Sequence, residues 1–284
     1  MATAELHDTR ASLPTTSSGS RALGTIWMLA WREWTRFFRQ RNRVIAALGQ
    51  PILFRILFGT GMHSAFRGGE QSFMSYYLPG TITLILMFTA IFATISIIED
   101  RREGFLQNVL IAPVPRWTIA AGKILGGGAI AWVQALIFVT LAVAVGSIPL
   151  GASLAAACLP MLLTSLALTA VGVVFAWPME STQGFHAIMN LVLMPLWLLS
   201  GAFFPVPQPS SEAEIGQWIM HWLMRCNPLS YAISGLRELL GQTPGSEMWM
   251  PSLTTSWLVT IVFFILSFAA AWRGVSKPSR SDLK

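Results

Sequence analysis

Long apolar runs of similar length alternate with short polar segments along most of the chain. Six can be marked, near 44–62, 78–98, 124–146, 153–177, 184–204 and 252–272. A hydrocarbon layer about 30 Å thick needs about 20 helical residues to cross, so each run predicts a membrane-spanning helix. The first is the weakest, because Gln50-Pro51 lies near its start and Arg55 interrupts it. The pattern predicts an all-α, polytopic membrane protein.

Three segments between or before the runs carry patterns of their own. Before the first span, Trp27, Trp31, Trp34 and Phe38 fall within about 60° of one another on a helical projection, with Arg32, Arg36, Arg39 and Arg43 gathered opposite. That predicts an N-terminal amphipathic helix in the membrane interface, its rings at headgroup depth and its guanidinium groups on phosphates. Packing on the protein's own spans is the alternative. Between the second and third spans, Ile98–Lys123 holds an alternating-sign cluster (Glu99, Asp100, Arg101, Arg102, Glu103), a short apolar helix, then Ala112-Pro113-Val114-Pro115-Arg116 and Gly122-Lys123. Gly122 and Gly126 form a G-x-x-x-G that suits either close helix crossing or local flexibility. Between the fifth and sixth spans, Ile215, Trp218, Ile219, Trp222 and Leu223 recur at helical spacing. Asn227-Pro228 then starts a second short helix, with Asn as N-cap and Pro at the first helical position, and Gly241 can end it. These two helices are too short to span. They predict an external hairpin, either re-entrant or lying on the surface.

Composition fixes the solvent. Apolar residues make up 54% of the chain and charged residues 11%, against about 25% in ordinary soluble domains, so most of the surface must face lipid. Lys and Arg set the orientation: with Arg55 set aside, fifteen lie before the first span, in 99–123 and after the last span, and three lie on the other side. Both termini and the 99–123 segment are therefore predicted to be cytoplasmic. The net charge of +6 follows from this bias, and nucleic-acid binding is not needed to explain it. Residues 1–24, rich in Ser, Thr and Ala, read as a disordered leader, and 273–284 as a cytoplasmic tail. The first 30 residues predict no cleaved signal peptide.

Candidate chemistry is sparse. No G-x-x-x-x-G-K-[ST] phosphate loop occurs, so any ATP must be hydrolysed on another polypeptide. His63, His186 and His221 are scattered, and Cys158 and Cys226 have no metal or disulfide spacing, so no metal site is predicted and both cysteines read as small buried hydrophobes. The spans lack convergent carboxylates or a nucleophile with its base, which argues against an intramembrane enzyme. Arg55 is expensive in hydrocarbon unless paired or wetted. It fits substrate contact, a structural partner, or snorkelling to the span's edge.

Five local matches, in this order and on these predicted sides, carry a family resemblance: Glu99–Gly104 (EDRREG), Ala112–Arg116 (APVPR), Gly122-Lys123, Leu199–Pro205 (LSGAFFP) and Asn227–Tyr231 (NPLSY). Over roughly residues 25–272 the chain resembles the ABC-2 type permeases, membrane subunits of type V ABC exporters, whose relatives include drug-resistance permeases and nodulation-type lipo-oligosaccharide exporters. Where that pattern often continues with Thr-Leu-Glu, this chain has Phe105-Leu106-Gln107. The resemblance implies a non-enzymatic subunit that moves a drug, lipid, glycolipid or polysaccharide outward across a bacterial inner membrane. It implies a separate ATPase holding ATP and Mg, no cofactor on this chain, and a pairing of two permease subunits. Residues 99–118 would be the ATPase handle. Glu99, Asp100, Arg101, Arg102, Glu103 and Arg116 would supply charge complementarity, Val109, Leu110 and Ile111 an apolar plug, and Pro113 and Pro115 stiffness. Arg55, Phe203, Phe204, Asn227 and Tyr231 are candidates for the translocation route and its outer gate. A channel, or a membrane scaffold that recruits a partner, is the alternative reading.

Overall fold

The computed structural model describes residues 18–61, 73–149, 151–209, 214–242 and 249–277. All regular structure among them is helical. In chain order the helices are α1 (Ser18–Arg39), α2 (Arg41–Gly61), α3 (Phe73–Arg102), α4 (Phe105–Leu110), α5 (Trp117–Ala144), α6 (Ala152–Ala176), α7 (Thr182–Trp197), α8 (Ile215–Cys226), α9 (Pro228–Leu239) and α10 (Leu253–Ser276). Five are long and apolar enough to cross a membrane: α3, α5, α6, α7 with its continuation to Ala202, and α10. The first predicted span corresponds to α2, a helix in the expected place but outside that set. Arg41, Asn42, Arg43, Gln50 and Arg55 dilute its apolar content.

The hub is α3. Its apolar window is 94% buried, whereas that of α10 is 17% buried, so α3 is central and α10 outermost. Helices α5 and α6 pack on α3, with α2 and α7 also against it, while α10 covers α6 and α9. A helix that is apolar on every side suits lipid and protein neighbours equally, which is why sequence gives its span but not its rank in the bundle.

Two overruns of the predicted limits, in α3 and α5, place charged residues inside helices. At 30 residues, α3 is about 45 Å long, and Glu99–Arg102 form its last turn where the sequence suggested a loop. Helix α5 begins at Trp117, well ahead of the predicted 124, so Lys123 lies inside it. The chain reverses between α3 and α4 at Gly104, whose φ is 75°. Helix α1 begins at Ser18, so 18–24 are helical, contrary to a leader extending to 24; residues 1–17 lie outside the described residues. So do His63, Arg67 and most of the predicted 273–284 tail.

The helix α1 packs chiefly along the start of α5. A Cβ at Gly122 would stand 2.7 Å from the Leu29 Cβ, and one at Gly126 2.9 Å from the Glu33 Cβ. No side chain fits there, so this G-x-x-x-G is the seat for α1 in the same chain. Ala22, Leu29, Glu33 and Phe37 are buried on that side. Trp27 and Trp31 stay exposed, stacked at 6.4 Å. The helix is therefore packed on the spans by one face and aromatic on another.

Candidate functional site

At the end of the bundle predicted to be cytoplasmic, α1, α2, α3 and α5 meet in an ion-paired junction. Asp100 is its centre and has no exposed surface. Arg32 holds it in a bidentate fork, Nη1 to Oδ2 at 2.8 Å and Nη2 to Oδ1 at 2.7 Å. Arg36 Nη1 donates to the same Oδ1 at 2.5 Å, and Lys123 donates to Oδ2. Lys123 Nζ also reaches Glu33 Oε1 at 2.5 Å and Ser96 Oγ at 3.2 Å. Further out, Arg36 Nη2 lies 2.9 Å from both Glu99 and Glu103, and Arg43 pairs with Glu99. Four cations thus meet four carboxylates, and the junction is neutral as a whole. Burial works against the charge on Arg32, but the hydrogen bonds and charge of Asp100 outweigh it and hold the guanidinium above its ordinary range. Arg32 also lies over the Phe105 ring at 3.6 Å, tying α4 into the same assembly.

This overturns one reading of the sequence. Arg32, Arg36 and Arg43 face carboxylates of their own chain and not phosphates, because the end of α3 brings three acidic side chains within reach. The charges predicted as a handle are largely spent the same way. Arg101 donates to the Met179 and Trp177 carbonyls at 2.9 and 2.6 Å and lies over the Trp177 ring; Arg102 Nε donates to the Glu180 carbonyl at 3.0 Å. Together they hold the turn between α6 and α7. Val109, expected in the apolar plug, is buried with Leu106 against the protein's own core. What faces outward is Gln107, Asn108, Ile111, Pro113 and Pro115, with Ile111 83% exposed; Leu110 and Arg116 are half-buried.

At the opposite end, α7 breaks. Residues Leu198–Ala202 form a π-type turn in which Gly201 takes φ 74°, a left-handed value suited to glycine. The break frees carbonyls that need donors, and side chains from α3 and α9 supply them. Asn227 Nδ2 donates to the Leu196 carbonyl at 2.5 Å while its Oδ1 caps the Leu229 N–H at 3.0 Å. Arg237 donates to the Gly201 carbonyl at 3.0 Å, as does the Tyr76 hydroxyl at 2.7 Å. Arg237 is 2% exposed and lies 4.2 Å over the Tyr76 ring. The LSGAFFP and NPLSY segments are therefore two halves of one structural unit. Replacing Asn227 with alanine is expected to lower stability by about 2 kcal/mol, since the α9 cap is lost and the Leu196 carbonyl loses its donor. Thermal unfolding of the detergent-purified variant measures it.

The gate candidates do not converge. Asn227 and Phe203 sit inside this unit, Phe203 against Phe73 and Tyr77 at 5.9 and 5.7 Å. Phe204 is exposed beside Phe203, and half-buried Tyr231 meets Trp249 edge-on at 5.5 Å. Arg55 is half-buried on α2, 5.8 Å from the Phe138 ring. Cys226 is exposed on α8 where burial was expected, whereas Cys158 is half-buried. Among the described residues no three His, Cys, Asp or Glu side chains gather as metal ligands.

The model of the ABC-2 type transporter family matches residues 24–240, which run from α1 through α9. The chain belongs to the ABC-2 type transporter family. Among ABC-2 relatives, the inner membrane transport permease YadH of Escherichia coli is 26% identical over 258 residues, 88% of this chain and 93% of that protein. The ycf38 protein of Cyanophora paradoxa is 24% identical over 248 residues, 86% of this chain and 79% of its own length. The linearmycin resistance permease protein LnrN of Bacillus subtilis is 25% identical over 223 residues, 78% of this chain but only 53% of its own length. The chain is thus an integral membrane permease of the ABC-2 type.

Sequence reasoning missed several residues that organise this permease. Glu33 is the lone acidic residue in α1, amid arginines, and that isolation was its signal. Lys123 abuts an apolar run, and a polar residue at such a border could have been placed inside the helix. Ser96, Tyr76 and Arg237 gave no local signal, because their partners lie far away in sequence.

Proposed function

We propose that this chain is the membrane-spanning subunit of an ATP-driven exporter, worked by a separate ATPase that holds ATP and Mg and docks on α4 and the loop after it. The observation that carries the reading is the outward crest of Gln107, Asn108, Ile111, Pro113 and Pro115. It is joined to a bundle whose neighbouring charges are already paired. A push on this crest passes through Phe105 and Arg32 to Asp100 at the end of α3, and through Lys123 to α5. In this reading α2 is a sixth span, both termini and α4 are cytoplasmic, and α8–α9 form a re-entrant outer gate. Two copies of the chain surround the route. The cargo is hydrophobic or amphipathic, as the drug-resistance name of one relative suggests. The membrane is a bacterial inner membrane, the location in the name of YadH.

Vesicles holding the chain and the ATPase recovered with it, loaded with a fluorescent amphiphile, test the proposal. The amphiphile should move in the export direction only with hydrolysable ATP. Movement that is equal without ATP, with ionic conductance in a planar bilayer, would establish a channel instead.

A further inference from the structure

The junction takes Arg32, Arg36 and Arg43, and two of the arginines it leaves over lie together. Arg39 ends α1 and Arg41 begins α2; both are exposed, and neither pairs with a carboxylate among the described residues. A groove of about 670 Å³ is lined by Trp31, Thr35, Arg39 and Gln40, and by the junction's Arg32, Arg36 and Glu103, which are already paired. A second, of about 500 Å³, shares Arg39 and Gln40 and adds Arg41, Asn42 and Arg43. The two grooves share Arg39 and Gln40 at the elbow between α1 and α2. Trp31 is 59% exposed beside them and stacks on exposed Trp27, with Phe38 next to Arg39 in sequence.

We propose that this elbow binds the headgroup of an anionic phospholipid in the leaflet on the α4 side of the membrane. The siting in that leaflet rests on the orientation proposed above. The ligand chemistry follows from what each wall offers. Unpaired guanidinium groups match phosphate oxygens in shape and charge. The amides of Gln40 and Asn42 add donors for glycerol or ester oxygens. The exposed indole rings supply the amphipathic surface that settles at headgroup depth. An acidic patch on a soluble partner would use the arginines and leave Trp27 and Trp31 bare, so the rings favour lipid. The grooves border the junction and share Arg32, Arg36, Arg43 and Glu103 with it, but the junction's four cations are matched by four carboxylates, so the charge available to a headgroup is that of Arg39 and Arg41.

Native mass spectrometry of the full chain in mild detergent, titrated with dioleoyl-phosphatidylglycerol or dioleoyl-phosphatidylcholine, is the test. The expected result is a retained phosphatidylglycerol, bound at least about tenfold more tightly than phosphatidylcholine. R39Q with R41Q should weaken it by about 30-fold, the effect of two near-surface basic residues acting on one headgroup. R39K with R41K should keep most of the affinity. Both side chains are exposed, so a single sharp size-exclusion peak is expected of each variant. If one aggregates, the selectivity of the unmodified chain still decides. Equal retention of the two lipids, or retention unchanged by R39Q with R41Q, overturns the proposal. Displacement of the lipid by millimolar inorganic phosphate would assign the elbow to a free anion and also overturn it. Loss of ATPase copurification from R39Q/R41Q, with lipid binding unchanged, would make it a protein contact. Copurification does not enter the lipid readout, so failure here leaves the transport proposal standing.

Discussion

Replacing Asp100 with alanine is expected to unfasten α1 from the bundle and to lower stability by about 3–5 kcal/mol. The side chain has no exposed surface and answers Arg32, Arg36 and Lys123 at once. Removing it takes a shared partner from partly exposed Arg32 and Arg36 and from buried Lys123, and the lost partner is worth less than the charge left buried. Lys123 suffers most, because it is 4% exposed and would keep only Glu33 and Ser96. The variant should unfold at lower temperature in detergent and expose α1 to protease. Glu103→Ala is the control: its side chain is 58% exposed, and its pairing with Arg36 should contribute under about 1 kcal/mol. Comparable losses from the two substitutions would mean that the junction does not hold the fold as described.

Replacing Ile111 with aspartate is expected to do the reverse, leaving the chain stable and weakening the proposed hold on an ATPase. Ile111 is 83% exposed beyond the end of α4, and it packs on nothing that an aspartate would disturb. A surface change of this kind shifts stability by no more than about 0.5 kcal/mol. At a docked interface the same change buries an unpaired carboxylate where an apolar anchor belonged. Central anchors of that sort are worth about 2 kcal/mol or more, so affinity should fall by at least about 30-fold. Affinity of the purified subunits measures it, with thermal unfolding of the variant alone as the companion reading. Val109→Asp would mislead here, because Val109 is buried and its loss would damage α4 itself.

These two residues also show what the sequence could and could not reveal. Hydropathy marks an apolar run within each of the five long apolar helices, because a span is a local property of about 20 consecutive side chains, but it misses the starts of α3 and α5 by five and seven residues. The start of α9 was equally legible: Asn227 caps Leu229 two residues away, and Pro228 needs no donor. The junction was not legible. Asp100 sits 68, 64 and 23 residues from Arg32, Arg36 and Lys123, and nothing local distinguishes a buried carboxylate from a solvated one. So the charges at 99–103 read as a handle, although Glu99, Asp100 and Glu103 pair with arginines of α1 and α2, and Arg101 and Arg102 hold the α6–α7 turn. The same distance hid Arg237, whose partner Gly201 lies 36 residues back. The motifs are visible in the sequence; their use as internal fastenings is visible only in the fold.

If an ATPase works this subunit through the α4 crest, that ATPase should be recovered with the chain. The full chain would be affinity-purified from its native host in mild detergent, beside the Ile111→Asp variant, and its partners identified by mass spectrometry. The expected partner is an ATPase bearing a Walker motif, in molar amount comparable to the chain and lost from the variant. Absence of any ATPase under several mild detergents, or its undiminished recovery with the variant, would contradict the account.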